Sequence, residues 1–306
     1  MSNVLISIVG PTAIGKTKLA IFLAQHYGTE IISADSRQFF KEMAIGTAVP
    51  NQEELAAAKH HFIQHKSVND TYSVGDFEKD ALRLLDTLFN DHEIVIMVGG
   101  SGLYVDAVTN GLNEFPKVDP QLREQLNQEL ETHGIASLQK KLQELDEAYY
   151  QTVDLNNPHR LIRALEICLG TGKPYSGFLG RPKKERNFNS LTIGLDANRE
   201  QIYDNINCRV DSMMSEGLLD EVRSMLPYKN LNALQTVGYK ELFNYFDGIW
   251  NLERAISEIK KNTRRFSKRQ LTWFKRNEAT FWVQTNSNQE ELVKQIDAAL
   301  KKRENG

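Results

Sequence analysis

The sequence predicts an α/β fold, a parallel β-sheet flanked by helices, with a helical insertion and a helical C-terminal part. Three observations carry this reading. Short strands without polar alternation, Val4–Val9 (apolar but for Ser7) and Ile94–Val98, alternate with amphipathic helices in the first third of the chain; such strands belong to a sheet covered on both faces. From Pro120 to Leu169 helical periodicity continues with no strand between the helices. Strand character returns at Leu191–Leu195, and beyond Arg199 the chain is nearly all helix.

In order, Val4–Val9 is a buried strand, Gly10–Gly15 a loop, and Lys16 to about Tyr27 a helix with Leu19, Ala20, Leu23 and Ala24 on one face. A short strand near Glu30–Ser33 leads into Asp35-Ser36-Arg37-Gln38. Ser73 or Asp76 starts a helix that runs to about Asn90, because their side chains can cap the first free backbone N–H groups. Ile94–Val98 is broken by Gly99-Gly100-Ser101-Gly102. Gly111–Pro116 reads as a linker, and Pro120–His133, Ile135–Tyr150 and Pro158–Leu169 as helices. Thr171–Asn189 is loop-like, and Thr280–Gln284 is a candidate last strand. The expected organisation is a first core segment over residues 1–112, an insertion over 113–182 whose end falls between 154 and 182, and a core continuation with a basic helix over 183–306.

At 306 residues the chain can bury one large core, or one core and an inserted lobe. Its composition, 41% hydrophobic and 25% charged, is that of an ordinary globular protein. No apolar run reaches the length of a membrane span, and the first strand begins too early to leave room for a signal sequence. Cys168 and Cys208 lie far apart with no partners at metal-ligand spacing, so a reducing cytoplasm is expected. The net charge of −3 conceals a polarised chain. Arg254 to Arg276 carries nine cations against Glu258 alone, whereas Asp119 to Asp154 carries eight acids against Arg123, Lys140 and Lys141. Local fields rather than the sum decide what a surface attracts.

Gly10-Pro11-Thr12-Ala13-Ile14-Gly15-Lys16-Thr17 fits G-x-x-x-x-G-K-[ST] between a strand and a helix, the context in which that loop binds phosphate. Its backbone N–H groups turn inward, the helix N-terminus adds positive potential, Lys16 supplies a full charge and the Thr17 hydroxyl can ligate Mg²⁺. The core is therefore expected to be P-loop NTPase-like. A switch or motor NTPase needs an acid at the end of a second apolar strand; here that strand ends in Gly99-Gly100. The nearest acid in a suitable topological place is Asp35, which would emerge at the same carboxyl edge of a parallel sheet. Asp35 is a general base, a metal ligand or a solvated loop residue, and Ser36, Arg37 and Gln38 beside it suit a flat polar substrate such as a nucleobase.

At this point the chain resembles a known family. Gly10–Thr17, Asp35–Gln38, Met43–Ala48, Gly99–Tyr104, Asn157–Glu166, Arg209–Met213 with Gly217 and Glu221-Val222, Val237–Lys240 and Arg264–Trp273 match, in order and spacing, blocks of the tRNA dimethylallyltransferases, the tRNA isopentenyltransferase family of P-loop prenyltransferases. The resemblance covers nearly the whole chain. It implies a P-loop that cradles the diphosphate of dimethylallyl diphosphate, with Lys16, Mg²⁺ on Thr17 and Arg209 stabilising the departing diphosphate, and Asp35 as the base toward an adenosine amine. Thr12 and Ser101 fall on motif positions near the substrates. Lys240-Glu241 departs from the family pattern, and no role follows for Glu241.

The implied partner is the anticodon stem-loop of tRNA, modified at the adenosine 3′-adjacent to the anticodon; a monomer is expected. The basic run, with Lys268 and Arg269 and the aromatics Trp273 and Phe274 near its end, would meet RNA phosphates. Arg123, Arg160 and Arg163 would serve the insertion, whose net acidity confines contact to edges such as Lys140-Lys141 and Lys183-Lys184. Three other readings stand beside this one. A small-molecule kinase would use Arg160 and Arg163 as lid cations, a prenyltransferase could act on free adenine nucleotides, and an RNA-binding module would use a nucleotide only as a structural ligand.

Overall fold

The computed structural model describes residues 3–180, 185–285 and 287–304. Lys183-Lys184 and the expected insertion end at 182 lie outside the described residues. Six strands, β1 (Val4–Val9), β2 (Ile31–Ser33), β3 (His60–His61), β4 (Ile94–Val98), β5 (Asn189–Asp196) and β6 (Phe281–Gln284), form one parallel sheet in the order β3-β2-β4-β1-β5-β6.

β1 shows why a central strand of this sheet is apolar on both faces, with Ser7 its one polar residue. Leu5 and Val9 face one core with Met97, Phe77 and Val105, while Ile6 and Ile8 face a second core with Ile96, Leu23 and Ile193. Successive side chains point to opposite faces, so a sheet buried on both sides leaves no polar register. The helices of this part are α1 (Lys16–Tyr27), α2 (Gln52–Ala57), α3 (Val74–Leu88) and α4 (Gly102–Asn110). α3 begins at Ser73, whose hydroxyl accepts from Asp76 N while the Asp76 carboxylate accepts from Ser73 N, a reciprocal capping box.

The chain divides into two compact units, residues 1–110 with 185–306, and residues 111–184. The second unit contains α5 (Gln121–His133), α6 (Ile135–Leu145), α7 (Glu147–Tyr150) and α8 (Pro158–Thr171), packed around Leu126, Leu138, Leu142, Leu161 and Leu165. The single helix expected over Ile135–Tyr150 is two. Asp146, buried and with φ −157°, leaves the helical conformation to accept Tyr149 N at 3.0 Å and Ser176 N at 2.6 Å. A short carboxylate that caps the next turn competes with continuing the helix.

The remaining helices, α9 (Arg199–Ser215), α10 (Leu218–Ser224), α11 (Tyr239–Phe246), α12 (Leu252–Phe274) and α13 (Gln289–Glu304), belong to the first unit. β4 lies between β1 and β2, so the chain leaves the sheet at Gly10, Ala34 and Gly99 side by side. The approach there is close: a Cβ on Gly99 would stand 2.4 Å from Ala34 O, and one on Gly10 2.7 Å from Leu195 O. No side chain fits at Gly99.

Candidate active site

The loop after β1 holds Gly10, Ala13 and Gly15 at φ +142°, +62° and +93°. Positive φ is uncommon for a residue with a side chain, and Ala13 marks how tightly the turn closes. Lys16 Nζ folds back over it to donate to Pro11 O at 2.7 Å. Two later helices clamp the same loop. Gln270 of α12 accepts from Thr12 N at 2.8 Å and donates to Gly100 O at 2.9 Å, tying the end of β1 to the end of β4. On α9, Arg209 donates to Thr12 Oγ1 at 3.3 Å and Asn205, one turn earlier, to Ala13 O at 3.1 Å.

Asp35 is half-buried and faces this cationic pair. Burial pushes the Lys16 ammonium down to about 8; the Asp35 carboxylate opposes that fall and Arg209 deepens it. Burial likewise lowers the guanidinium of Arg209, again opposed by Asp35. The backbone around Asp35 is fixed locally: its N–H donates to Ser33 Oγ at 3.4 Å, and its Oδ1 accepts from Arg37 N at 3.1 Å. Ser36 and Ser101 meet hydroxyl to hydroxyl at 3.1 Å, joining the loops after β2 and β4.

Arg37 and Gln38 hold neighbouring loops. Arg37 Nη1 donates to the carbonyls of Asn232 (3.0 Å) and Ala233 (2.8 Å). Gln38 Nε2 donates to those of Thr47 (3.2 Å) and Ala48 (2.9 Å). Glu221 of α10 completes this frame: its carboxylate accepts from the N–H groups of Ala44, Ile45 and Gly46 at 2.7–2.9 Å and from Tyr239 Oη at 2.6 Å. Gly46 must be glycine, since a Cβ would lie 2.6 Å from the Tyr239 ring. Three of the sequence blocks, Met43–Ala48, Glu221-Val222 and Val237–Lys240, are thus parts of one hydrogen-bonded unit. Sequence reasoning passed over Gln270, Asn205 and Glu221; the signal available was that Gln270 and Glu221 lie within the matched blocks.

Residues 38–277 match the family model described as IPP transferase. The chain belongs to the IPP transferase family. Its relatives include the tRNA dimethylallyltransferase of Christiangramia forsetii, 63% identical over 98% of this chain and 99% of that one. That of Flavobacterium johnsoniae is 58% identical over 97% and 98%. Among solved structures, the tRNA isopentenylpyrophosphate transferase of Bacillus halodurans superimposes with TM-score 0.72 at 36% identity, covering 98% of this chain and 96% of that one. A eukaryotic dimethylallyltransferase, captured in crystallographic snapshots acting on tRNA, gives TM-score 0.80 at 25% identity over 93% and 74%.

In this IPP transferase the basic run has two sides. Ala255, Ile259, Ser267, Gln270 and Phe274 form the buried side of α12. Several cations are engaged: Lys260 with Asp211 (2.6 Å), Arg264 with Asn207 Oδ1 (2.8 Å) and Lys275 with Asp196 (3.0 Å). Lys268 and Arg269 are exposed. Trp273 and Phe274, expected beside RNA, turn inward instead. Phe274 is buried in the core, and Trp273 packs on Gly102 and donates from Nε1 to Asp106 at 2.9 Å. Glu241 is structural: buried, it accepts Gly238 N and Asn262 Nδ2, both at 2.8 Å.

Within the second unit, Arg160 is exposed. Arg123 forms a bidentate pair with buried Glu166 (2.8 and 2.6 Å), which Arg163 also approaches at 3.6 Å while lying over the Phe115 ring. Lys141 pairs with Glu129, and Lys140 is exposed. Among the described residues no group of three His, Cys, Asp or Glu side chains could hold a metal ion, and no helix is long and apolar enough to cross a membrane.

Proposed function

We propose that this IPP transferase moves a dimethylallyl group from dimethylallyl diphosphate to the exocyclic amine of the adenosine 3′-adjacent to the anticodon in tRNA, releasing diphosphate. The observation that carries the reading is the convergence of Lys16, Arg209 and Asp35 on one phosphate loop at the carboxyl edge of the sheet. Cleaving the allylic C–O bond leaves its electron pair on the diphosphate, so preorganised cations lower the barrier directly; Lys16 and Arg209 at this loop would do so. Mg²⁺ would be held by the Thr17 hydroxyl and phosphate oxygens, and would neutralise further charge on the diphosphate.

The amine nitrogen forms the new C–N bond and must lose a proton, and Asp35 is the carboxylate beside the cations that can take it. The paired hydroxyls of Ser36 and Ser101 offer donors and acceptors to the base edge. An adenine inside a stack cannot be reached, so the target must be turned out of the loop. ATP hydrolysis has no place in this scheme, because Gly99 stands where an NTPase carries its acid and no side chain fits there.

Labelled dimethylallyl diphosphate incubated with unmodified tRNA tests the reading. Transfer to the tRNA, with diphosphate released only in its presence, is expected. Rapid tRNA-independent ATP hydrolysis that disappears in Lys16→Ala would overturn it.

A further inference from the structure

Along the flank of α12 beside the site, three side chains reach neighbouring elements. Asn262 donates to Glu241 of α11, Gln270 spans Thr12 and Gly100, and Trp273 donates to Asp106 of α4. Phe266 lies between Asn262 and Gln270, one turn before the latter. The helical repeat sets it about 40° around the axis from Gln270, beside the buried arc. Yet Phe266 is 38% exposed. The guanidinium of Arg269 stands 5.7 Å from its ring centroid, and exposed Arg265 and Lys268 flank it. Leu103, a second large apolar side chain left open at 45%, follows Gly102, on which Trp273 packs, and Ser101, which meets Ser36 beside Asp35.

A partly exposed ring with a guanidinium over it and exposed cations beside it, one helical turn from Gln270, matches an unpaired nucleotide. Its base stacks on the ring and its phosphates meet the cations. A neutral apolar partner would have no use for the charges. We propose that Phe266, steadied by Arg269, is the stacking platform for an unpaired base of the RNA loop next to the reacting adenosine. This rests on the tRNA reading above and adds an RNA-positioning residue to it.

The test uses an anticodon stem-loop hairpin and a set of the same hairpins with one abasic residue at each loop position other than the target. Steady-state prenylation is measured with the wild-type chain, Phe266→Tyr, Phe266→Leu and Phe266→Ala. Loss of base–aromatic stacking should raise the KM for the intact hairpin about 5- to 150-fold in Phe266→Ala and nearly as much in Phe266→Leu, which keeps apolar bulk without a π-face. Phe266→Tyr should retain the wild-type value, and the KM for dimethylallyl diphosphate should not move in any variant. One abasic hairpin should carry the same penalty with the wild-type chain and no added penalty with Phe266→Ala. An unchanged hairpin KM in Phe266→Leu, a penalty that adds to every abasic position, or a raised KM for the diphosphate substrate would overturn the platform. If the wild-type chain transfers nothing to the intact hairpin, the tRNA reading itself fails.

Discussion

Asp35 and Lys16 set the demands on the chemistry residue by residue. The carboxylate must be ionised to take a proton, and it stands beside the cations Lys16 and Arg209 that face the diphosphate in the proposed site. Asp35→Asn keeps the shape and the bond from Arg37 N but not the basicity, so single-turnover transfer should fall about 10²- to 10⁴-fold with tRNA affinity little changed. A variant retaining a tenth of the wild-type rate would remove Asp35 as the base. Lys16 makes a prediction in pH. Its ammonium is charged below about 8 and neutral above. On the proposed function, kcat/KM for dimethylallyl diphosphate should therefore decline above pH 8, approaching about tenfold per unit, because that quantity reports the free enzyme's ionisations. A profile flat to pH 9.5 would show that the charge is not used. The sign for folding is opposite. Between about 8 and the ordinary 10.5 the unfolded chain holds the proton that folded Lys16 has lost, so the contribution of Lys16 to stability rises with pH across that window.

At the level of elements, one amide of α12, that of Gln270, joins the loops after β1 and β4. A Cβ on Gly100 would fall 2.2 Å from Gln270 Nε2, so Gly100→Ala must displace the side chain that accepts Thr12 N. Losing that bond and its partner at Gly100 O should cost about 1–3 kcal/mol of stability, read as a lowered denaturation midpoint. In a Gln270→Ala background the clash no longer exists, and adding Gly100→Ala should then cost less than about 0.5 kcal/mol. Additive losses would mean that Gly100 is constrained by something else. Elements like this explain what the sequence could and could not reveal. β1, β4 and α3 were legible because periodicity and capping are local: Ser73 with Asp76, or a run with no polar alternation. β3 was not, since two histidines at a sheet edge form a strand only by pairing with Ile31 and Ile32. α2 likewise buries no residue that would give it an apolar stripe. In the site, Lys16 and Thr17 follow from a contiguous motif, whereas Gln270 is 258 positions from its partner Thr12 and Glu221 is 175–177 from the turn it holds. Such pairs carry no spacing signal.

For the whole molecule, the question is how a chain of net charge −3 would bind the polyanion that the proposed function requires. The structure sorts the cations of the basic run by use. Lys260, Arg264 and Lys275 are committed to acids or amides of the protein, and charge neutralised internally attracts little from outside. Lys268 and Arg269 remain exposed on the helix whose Gln270 accepts from Thr12 N, and on the proposed function they are among the cations of this run left to meet RNA phosphates. Each phosphate bound by such a residue releases condensed counterions, so the interaction weakens as salt rises. Reversing both charges, Lys268→Glu with Arg269→Glu, should raise the KM for tRNA and flatten the slope of log KM against log salt by about 0.7–0.9 for each phosphate no longer neutralised. The KM for dimethylallyl diphosphate should be unaltered, because Lys16 and Arg209, not α12's exposed cations, face that ligand in the proposed site. Reversal at Lys260 with Lys275 serves as the control: it breaks internal ion pairs and should lower the melting temperature while leaving the salt slope in place. A slope unchanged by the first pair, or flattened equally by the second, would make the basic run a solvated face whose charge serves the fold alone.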